Sequence, residues 1–216
     1  MYKHIIWDWN GTLLDDVDLS LEAINIVLAR YNRPALQRKR YLKIFTFPVI
    51  EYYKTLGFDF NKTPFNIIGT EFIDEYTTRM FDVKLNSGAR EFLDSVQQTG
   101  ITQSLLSAAK VQMLETLIEY HKLQDYFIRI VGLDNHYAHS KLSAGEAWMA
   151  ELPFQPSEVL YIGDTIHDVD VARELGVDIA LLAMGHTDTA RLNKTGKLVL
   201  NNFVELENWF MNQNIV

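Results

Sequence analysis

The stretch Trp7-Asp8-Trp9-Asn10-Gly11-Thr12-Leu13-Leu14-Asp15-Asp16 decides how this chain is read. A short apolar run, His4 to Trp7, ends in a carboxylate, Asp8, and the turn-forming pair Asn10-Gly11 follows two residues later. In an open parallel sheet, ligands sit in the crevice beyond the carboxyl ends of the strands. An acid delivered by the tip of a buried first strand therefore predicts a site at that tip.

The same pattern recurs downstream. Apolar runs read as strands in "TQSLLS" (102–107), "IRIVGLD" (128–134), "EVLYIGD" (158–164), "IALLAMG" (179–185) and, at an edge, "KLVLNN" (197–202). Between them lie helical patterns: "GAREFLDSVQQTG" (88–100), "KVQMLETLIEYHKL" (110–123), "KLSAGEAWMAEL" (141–152), "DVDVARELG" (168–176) and a closing helix over 203–211. In the first of these, Phe92, Leu93 and Val96 share one face and a glycine ends the turn. Strands alternating with helices imply parallel crossovers, hence an α/β fold: a three-layer, Rossmann-like parallel sheet core.

One segment breaks the alternation. From about Asp16 to Leu85 the chain reads as helical ("DLSLEAINIVLARYN", "FPVIEYYKTLGF", "PFNIIGTEFIDEYTTRMF") and holds no convincing buried strand. The expected division is a core of residues 1–15 and 86–216 and an inserted α-helical cap of residues 16–85 over the first strand's tip. Its aromatics, Phe45, Phe47, Tyr52, Tyr53, Phe58, Phe60, Phe65, Phe72, Tyr76 and Phe81, are read as the cap's own small core. Asp15, Asp16 and Asp18 are read as acids at the positive end of the first cap helix.

Composition narrows the function classes. The chain has 216 residues, 48% hydrophobic and 22% charged, enough for a sizeable core. A net charge of −8 argues against nucleic acid or an anionic membrane as a general partner. No cysteine is present, which removes disulfides, thiolate nucleophiles and Cys-ligated metal sites and fits a cytoplasmic protein. No signal peptide or membrane-spanning run is visible. A monomer or homodimer is expected.

Polar residues collect at the strand ends. Asp8, Ser107 and Asp164 follow strands, Asp168 stands one helical turn after Asp164, and Lys141 stands at the head of the helix before that strand. Carboxylates so clustered repel one another unless a cation is present, and hard oxygen donors suit Mg²⁺.

Taken in order, Asp8-Trp9-Asn10-Gly11-Thr12, Ser107, Lys141 and "GDTIHD" (163–168) resemble the four motifs of the haloacid dehalogenase-like superfamily. The helical insert resembles that family's C1 cap, and the chain looks most like the phosphoglycolate phosphatase-type members. The resemblance implies a Mg²⁺-dependent phosphatase acting on a small phosphorylated metabolite. Asp8 would be the nucleophile, forming an aspartyl phosphate. Asp8, the Asn10 carbonyl, Asp164 and Asp168 would hold the metal. Gly11, Thr12, Ser107, Ala108 and Lys141 would bind the phosphoryl group, Gly11 by permitting the turn that brings backbone N–H groups to it. The alternatives are a phosphomutase or other phosphotransferase and a catalytically weakened phosphate-binding regulator. A receiver domain does not fit, because its phosphoacceptor stands on a middle strand.

Asn10 departs from the family, which usually has aspartate there to protonate the leaving group and activate water. An amide cannot exchange a proton at neutral pH, and general acid–base help is worth about 10²–10⁴ in rate. His167, inside the fourth motif, is the first candidate to take over that proton, with His186 behind it. The loop 134–140, with His136 and His139, reads as a solvated connection, and the basic run Arg38, Lys39, Arg40 and Lys43 as a solvated face able to meet a substrate carboxylate.

Overall fold

The computed structural model describes residues 1–133 and 141–214, so His136 and His139 lie outside the described residues. The sheet strands are β1 (His4–Trp7), β2 (Thr102–Lys110), β3 (Arg129–Leu133), β4 (Val159–Gly163), β5 (Asp178–Leu182) and β6 (Leu198–Leu200). All pair in parallel, in the order β3-β2-β1-β4-β5-β6. The chain runs outward from β1 through β2 to β3, then returns to the other side of β1 with β4. The order reverses between β1 and β4, which places the ligand crevice beside their carboxyl ends.

Helices cover both faces. Ile5, Trp7, Leu160 and Ile162 pack under α5 (Ala89–Gln98), α6 (Val111–Tyr120) and α10 (Phe203–Asn214). Ile6, Val159 and Tyr161 pack under α7 (Lys141–Glu151), α8 (Ile166–Leu175) and the short α9 (Thr189–Asn193). The neighbours Ile5 and Ile6 thus go to opposite faces, as the two-residue period of a strand requires. Both faces being covered explains why β1 and β4 read as continuous apolar runs. The predicted α/β core of three layers is present.

Between β1 and α5 the chain forms α1 (Val17–Arg30), α2 (Arg38–Ile44), α3 (Val49–Thr55) and α4 (Phe65–Thr77). These helices share a core of their own, with Ile24, Val27, Tyr41, Tyr52, Tyr53 and Ile68 buried. The entering and leaving segments run side by side. Leu14 bridges Leu85 antiparallel, Asp15 N–H donates to the Lys84 carbonyl at 2.9 Å and Asn86 N–H donates to Leu13 at 2.8 Å. Short helix α2 carries the basic run, in keeping with its reading as a solvated helical face. Among the described residues, no helix is long and apolar enough to cross a membrane.

Candidate active site

Asp8 stands one residue beyond β1, its N–H donating to the Ile162 carbonyl at 2.8 Å so that the sheet ladder continues into the site. Trp9 accepts three backbone N–H groups, from Thr12, Leu13 and Leu14, and closes the chain into a tight turn. Asn86 braces that turn from the far side, its Nδ2 donating to the carbonyls of Gly11 (3.0 Å) and Thr12 (2.9 Å).

Asp164 follows β4, and Asp168 arrives through a helix-capping device. Thr165 caps α8 and Asp168 is the third helical residue, so the two cap each other in a capping box. Asp168 Oδ2 accepts from Thr165 N–H (2.9 Å), Thr165 Oγ1 (2.7 Å) and Asp164 N–H (3.2 Å). Its Oδ1 is left for Lys141 Nζ at 2.6 Å and Tyr161 Oη at 3.2 Å. Lys141, the first residue of α7, donates also to Asp8 Oδ1. Thr12 Oγ1 lies 3.2 Å from Asp8 Oδ2 and 3.0 Å from Asp164 Oδ1.

Asp8, Asp164 and Asp168 offer ligand atoms within 4.8 Å of one another, all three residues buried. Burial pushes the Asp8 carboxyl up to about 6 against the pull of Lys141. Asp164 is driven well above its ordinary range, first by burial, with the charges of Asp8 and Asp168 adding to it. Asp168 goes the other way: burial opposes its charge, but Lys141 and the Thr165 hydroxyl hold it low. Two acids that resist ionising next to a third are short of positive charge. A small divalent cation answers that shortage, and an all-oxygen donor set fits Mg²⁺.

A second polar network meets the first at Asn10, and the sequence alone did not reveal its centre. Asp16 is buried and caps no N–H of α1 with its side chain. Its Oδ2 accepts from Asn10 Nδ2 (2.7 Å) and Tyr76 Oη (2.9 Å), and its Oδ1 from Gly11 N–H (2.8 Å). His186 Nε2 lies 3.1 Å from Oδ1, and His186 Nδ1 lies 2.7 Å from Tyr41 Oη. Asp16 does stand at the N-terminus of α1, as expected, but its side chain is spent elsewhere. It is a buried anion tying the Asn10 turn to the helical block. Burial opposes both charges, yet the pair holds: Asp16 is kept below the ordinary carboxylate range and His186 is raised to about 9. Because an ionised carboxylate only accepts, the Asn10 amide must turn its NH₂ toward Asp16.

Gly11 has φ +75°, and a Cβ there would fall 2.5 Å from Asp164 Oδ2 and 2.5 Å from His186 Cδ2. Its N–H is spent on Asp16 and the Leu14 carbonyl, so the glycine serves close approach and not phosphate binding through its own amide.

One cavity of about 210 Å³ opens onto this cluster and is lined by Asp8, Asn10, Ser107, Ala108, Lys141 and Asp168, among others. Ser107 is buried and accepts Ala109 N–H at 3.1 Å, where β2 slips register against β3 between Leu106 and Lys110. Residues from four separate stretches thus meet at one point. His167 does not join them. It stacks on Phe47 with ring centroids 4.7 Å apart and is not among the cavity-lining residues, whereas His186 is. The basic run is exposed, Arg38 pairing with Asp18, and none of it lines the cavity.

A parallel α/β core interrupted after its first strand, with acids, lysine and hydroxyls gathered at the β1/β4 switch point, defines a class of phosphoryl-handling α/β hydrolases. The family profile described as haloacid dehalogenase-like hydrolase matches residues 5–182, and the chain belongs to that family. It is 21% identical over 193 residues to the N-acetylmuramic acid 6-phosphate phosphatase of Pseudomonas aeruginosa, covering 85% of this chain and 83% of that protein. It is 21% identical over 196 residues to the phosphoglycolate phosphatase of Synechococcus elongatus, covering 87% of each. Its fold matches a haloacid dehalogenase-like family hydrolase from Streptococcus pneumoniae with a TM-score of 0.85 at 16% identity, over 97% of this chain and 98% of that one.

Proposed function

We propose that the protein is a Mg²⁺-dependent phosphatase of small phosphorylated metabolites, working through an aspartyl phosphate on Asp8. The observation that carries this reading is the Asp8 carboxylate itself: buried at the cavity floor, in contact with Lys141, and 3.2 Å from Thr12 Oγ1. Asp8, Asp164, Asp168 and the Asn10 carbonyl would hold the ion, which supplies charge neutralisation to the phosphoryl oxygens and keeps the acids ionised.

Lys141 and Thr12 already touch the attacking carboxylate, so they orient it and can receive the transferring group's negative charge. Ser107, whose oxygen accepts Ala109 N–H, keeps its own proton free to donate to a phosphoryl oxygen. Asp8 attacks phosphorus, the bond to the leaving oxygen breaks, and water then cleaves the acyl phosphate to restore the carboxylate. No side chain at the Asn10 position can carry the proton in either half. His186 does not stand in as a free base, because both ring nitrogens are engaged, by Asp16 and by Tyr41. Slow turnover of poor leaving groups follows.

The test is hydrolysis of a phosphate-ester panel with and without Mg²⁺, alongside Asp8→Asn. Activity should require the metal and vanish in the variant, with its circular dichroism unchanged. Wild-type turnover by Asp8→Asn would overturn the assignment.

A further inference from the structure

Away from the acid cluster, the cavity runs into the helical block, and its wall there is apolar and aromatic. Phe45, Tyr52, Phe65, Phe72 and Ile73 line it, with Met113 from α6. Among the described lining residues of the block there is no lysine or arginine, and its only charged side chain is Asp16. On the core side, Lys141 is committed to Asp8 and Asp168, and His186 to Asp16. Lys110, the last residue of β2, also lines the cavity, on the core side and not in the helical block. A carboxylate on the leaving group would find no cation on the cap side and would face an anion. The buried polar atom there without a partner, Tyr52 Oη, is uncharged.

Size points the same way. The cavity measures about 210 Å³ with the end beside the acid cluster included, and an enclosed apolar cavity of about 150 Å³ holds a benzene ring. A two-carbon stem would leave much of the aromatic wall uncovered, whereas a ring behind a phosphoryl group would lie against it.

Asn10 adds an independent argument. Its NH₂ is bound by Asp16 and Tyr76, so the place where the family usually carries an acid holds an amide fixed by two hydrogen bonds. A substrate suited to this site has a leaving oxygen that departs without a proton. Phenols ionise at about pH 10, roughly six units below water, so a phenolate leaves unaided where an alkoxide does not.

We propose, building on the phosphatase reading above, that the substrate is an aryl phosphate monoester whose ring lies in the aromatic part of the cavity. Asp8 Oδ forms the bond to phosphorus, the phosphorus–oxygen bond to the ring breaks, and its electron pair leaves on the phenolate, which takes a proton from water. A second water then attacks phosphorus, the acyl phosphate bond breaks back to the Asp8 carboxylate, and inorganic phosphate is released.

Initial rates with Mg²⁺ on phenyl phosphate, naphthyl phosphate, acetyl phosphate, phosphoglycolate and glycerol 3-phosphate test this. The aryl esters should exceed phosphoglycolate and glycerol 3-phosphate in kcat/KM by on the order of a hundredfold. Phosphoglycolate as the better substrate would overturn the inference and leave the phosphatase reading intact. Titration calorimetry with phenylphosphonate against phosphonoacetate reads the cavity without turnover, so it decides the point even if no ester is hydrolysed. Phenylphosphonate should bind more tightly, and the reverse order would overturn the inference. Gly69 of α4 lines the cavity, and a Cβ there meets nothing within 4 Å. Gly69→Leu should therefore fold and fill the space. Relative to acetyl phosphate, naphthyl phosphate should then show a KM raised by about tenfold, and an equal change for both substrates would count against a ring in that space.

Discussion

Replacing Asn10 by aspartate gives the family's usual residue, but here it places a second carboxylate against Asp16. Asn10 Nδ2 lies 2.7 Å from Asp16 Oδ2. Two unit charges at that separation repel by ~6 kcal/mol at an effective dielectric of about 20. Taking up one proton at pH 7 against an ordinary aspartate costs about 4 kcal/mol. Protonation is the cheaper route, so the folded variant holds a proton that its unfolded chain has lost. A carboxyl with a raised folded-state pKa gains stability as pH falls. Relative to wild type, Asn10→Asp should lose about 4 kcal/mol at pH 7 and about 1.5 kcal/mol at pH 5, with the gap closing near pH 4. The charge on His186 makes these figures upper bounds. Urea unfolding of both proteins in EDTA at the two pH values, followed by tryptophan fluorescence, reads the difference. The same shared proton sits beside the phosphoryl site, so alkyl phosphates should gain turnover in the variant. Mass spectrometry of the Asn10 peptide is needed in parallel, because Asn10-Gly11 is a deamidation-prone pair. A stability loss independent of pH, or none at pH 7, would show that Asn10 and Asp16 are not in contact and would sink the reasoning.

Two further outcomes follow from particular side chains. His4 is buried between the hydroxyls of Thr102 (2.7 Å) and Ser104 (2.8 Å), and burial lowers it to about 4; the folded state holds it neutral, so stability present above pH 6.5 is lost as pH falls toward 4. His4→Gln should remove about 3 kcal/mol of that dependence, and an unchanged pH profile of unfolding would contradict it. Gly11→Ala forces a methyl group against Asp164 and His186 at positive φ, so it should lower stability by about 1–3 kcal/mol and weaken Mg²⁺ binding by calorimetry; wild-type values for both would mean the turn relaxes freely.

Much of this was legible because buried parallel strands write themselves as unbroken apolar runs, and because Asp8, Ser107 and Asp164 each follow such a run directly. Asp168 was legible only as the acid one turn past Asp164, inside "GDTIHD"; the capping box with Thr165 that aims it came from the structure. Asp16 was not legible. Its partners Tyr76 and His186 lie 60 and 170 positions away, and a carboxylate before a helix has a sufficient local explanation in the dipole. His167 is the converse case: it lies inside a motif, yet its ring stacks on Phe47 and it is not among the residues lining the cavity. The aromatics of the helical block were read as one small core; half of their meaning, the wall they present to the cavity, depends on packing that no periodicity encodes.

The antiparallel meeting of the two connecting segments has a consequence for how such a molecule can be remade. Because Asp15 and Lys84 are hydrogen-bonded neighbours, everything between them begins and ends at one doorway, and the sheet's register does not depend on what passes through it. The block is a cartridge. A different set of helices could be spliced across that doorway without altering the path of β1 or α5. The splice would still have to bring a carboxylate to the place of Asp16 and a hydroxyl to that of Tyr76, because the core's Asn10 and His186 are fitted to them. The exchangeable part and the fixed part are thus keyed to each other by one buried charge, and a transplanted block lacking it would remove the main partner that keeps His186 protonated against its burial.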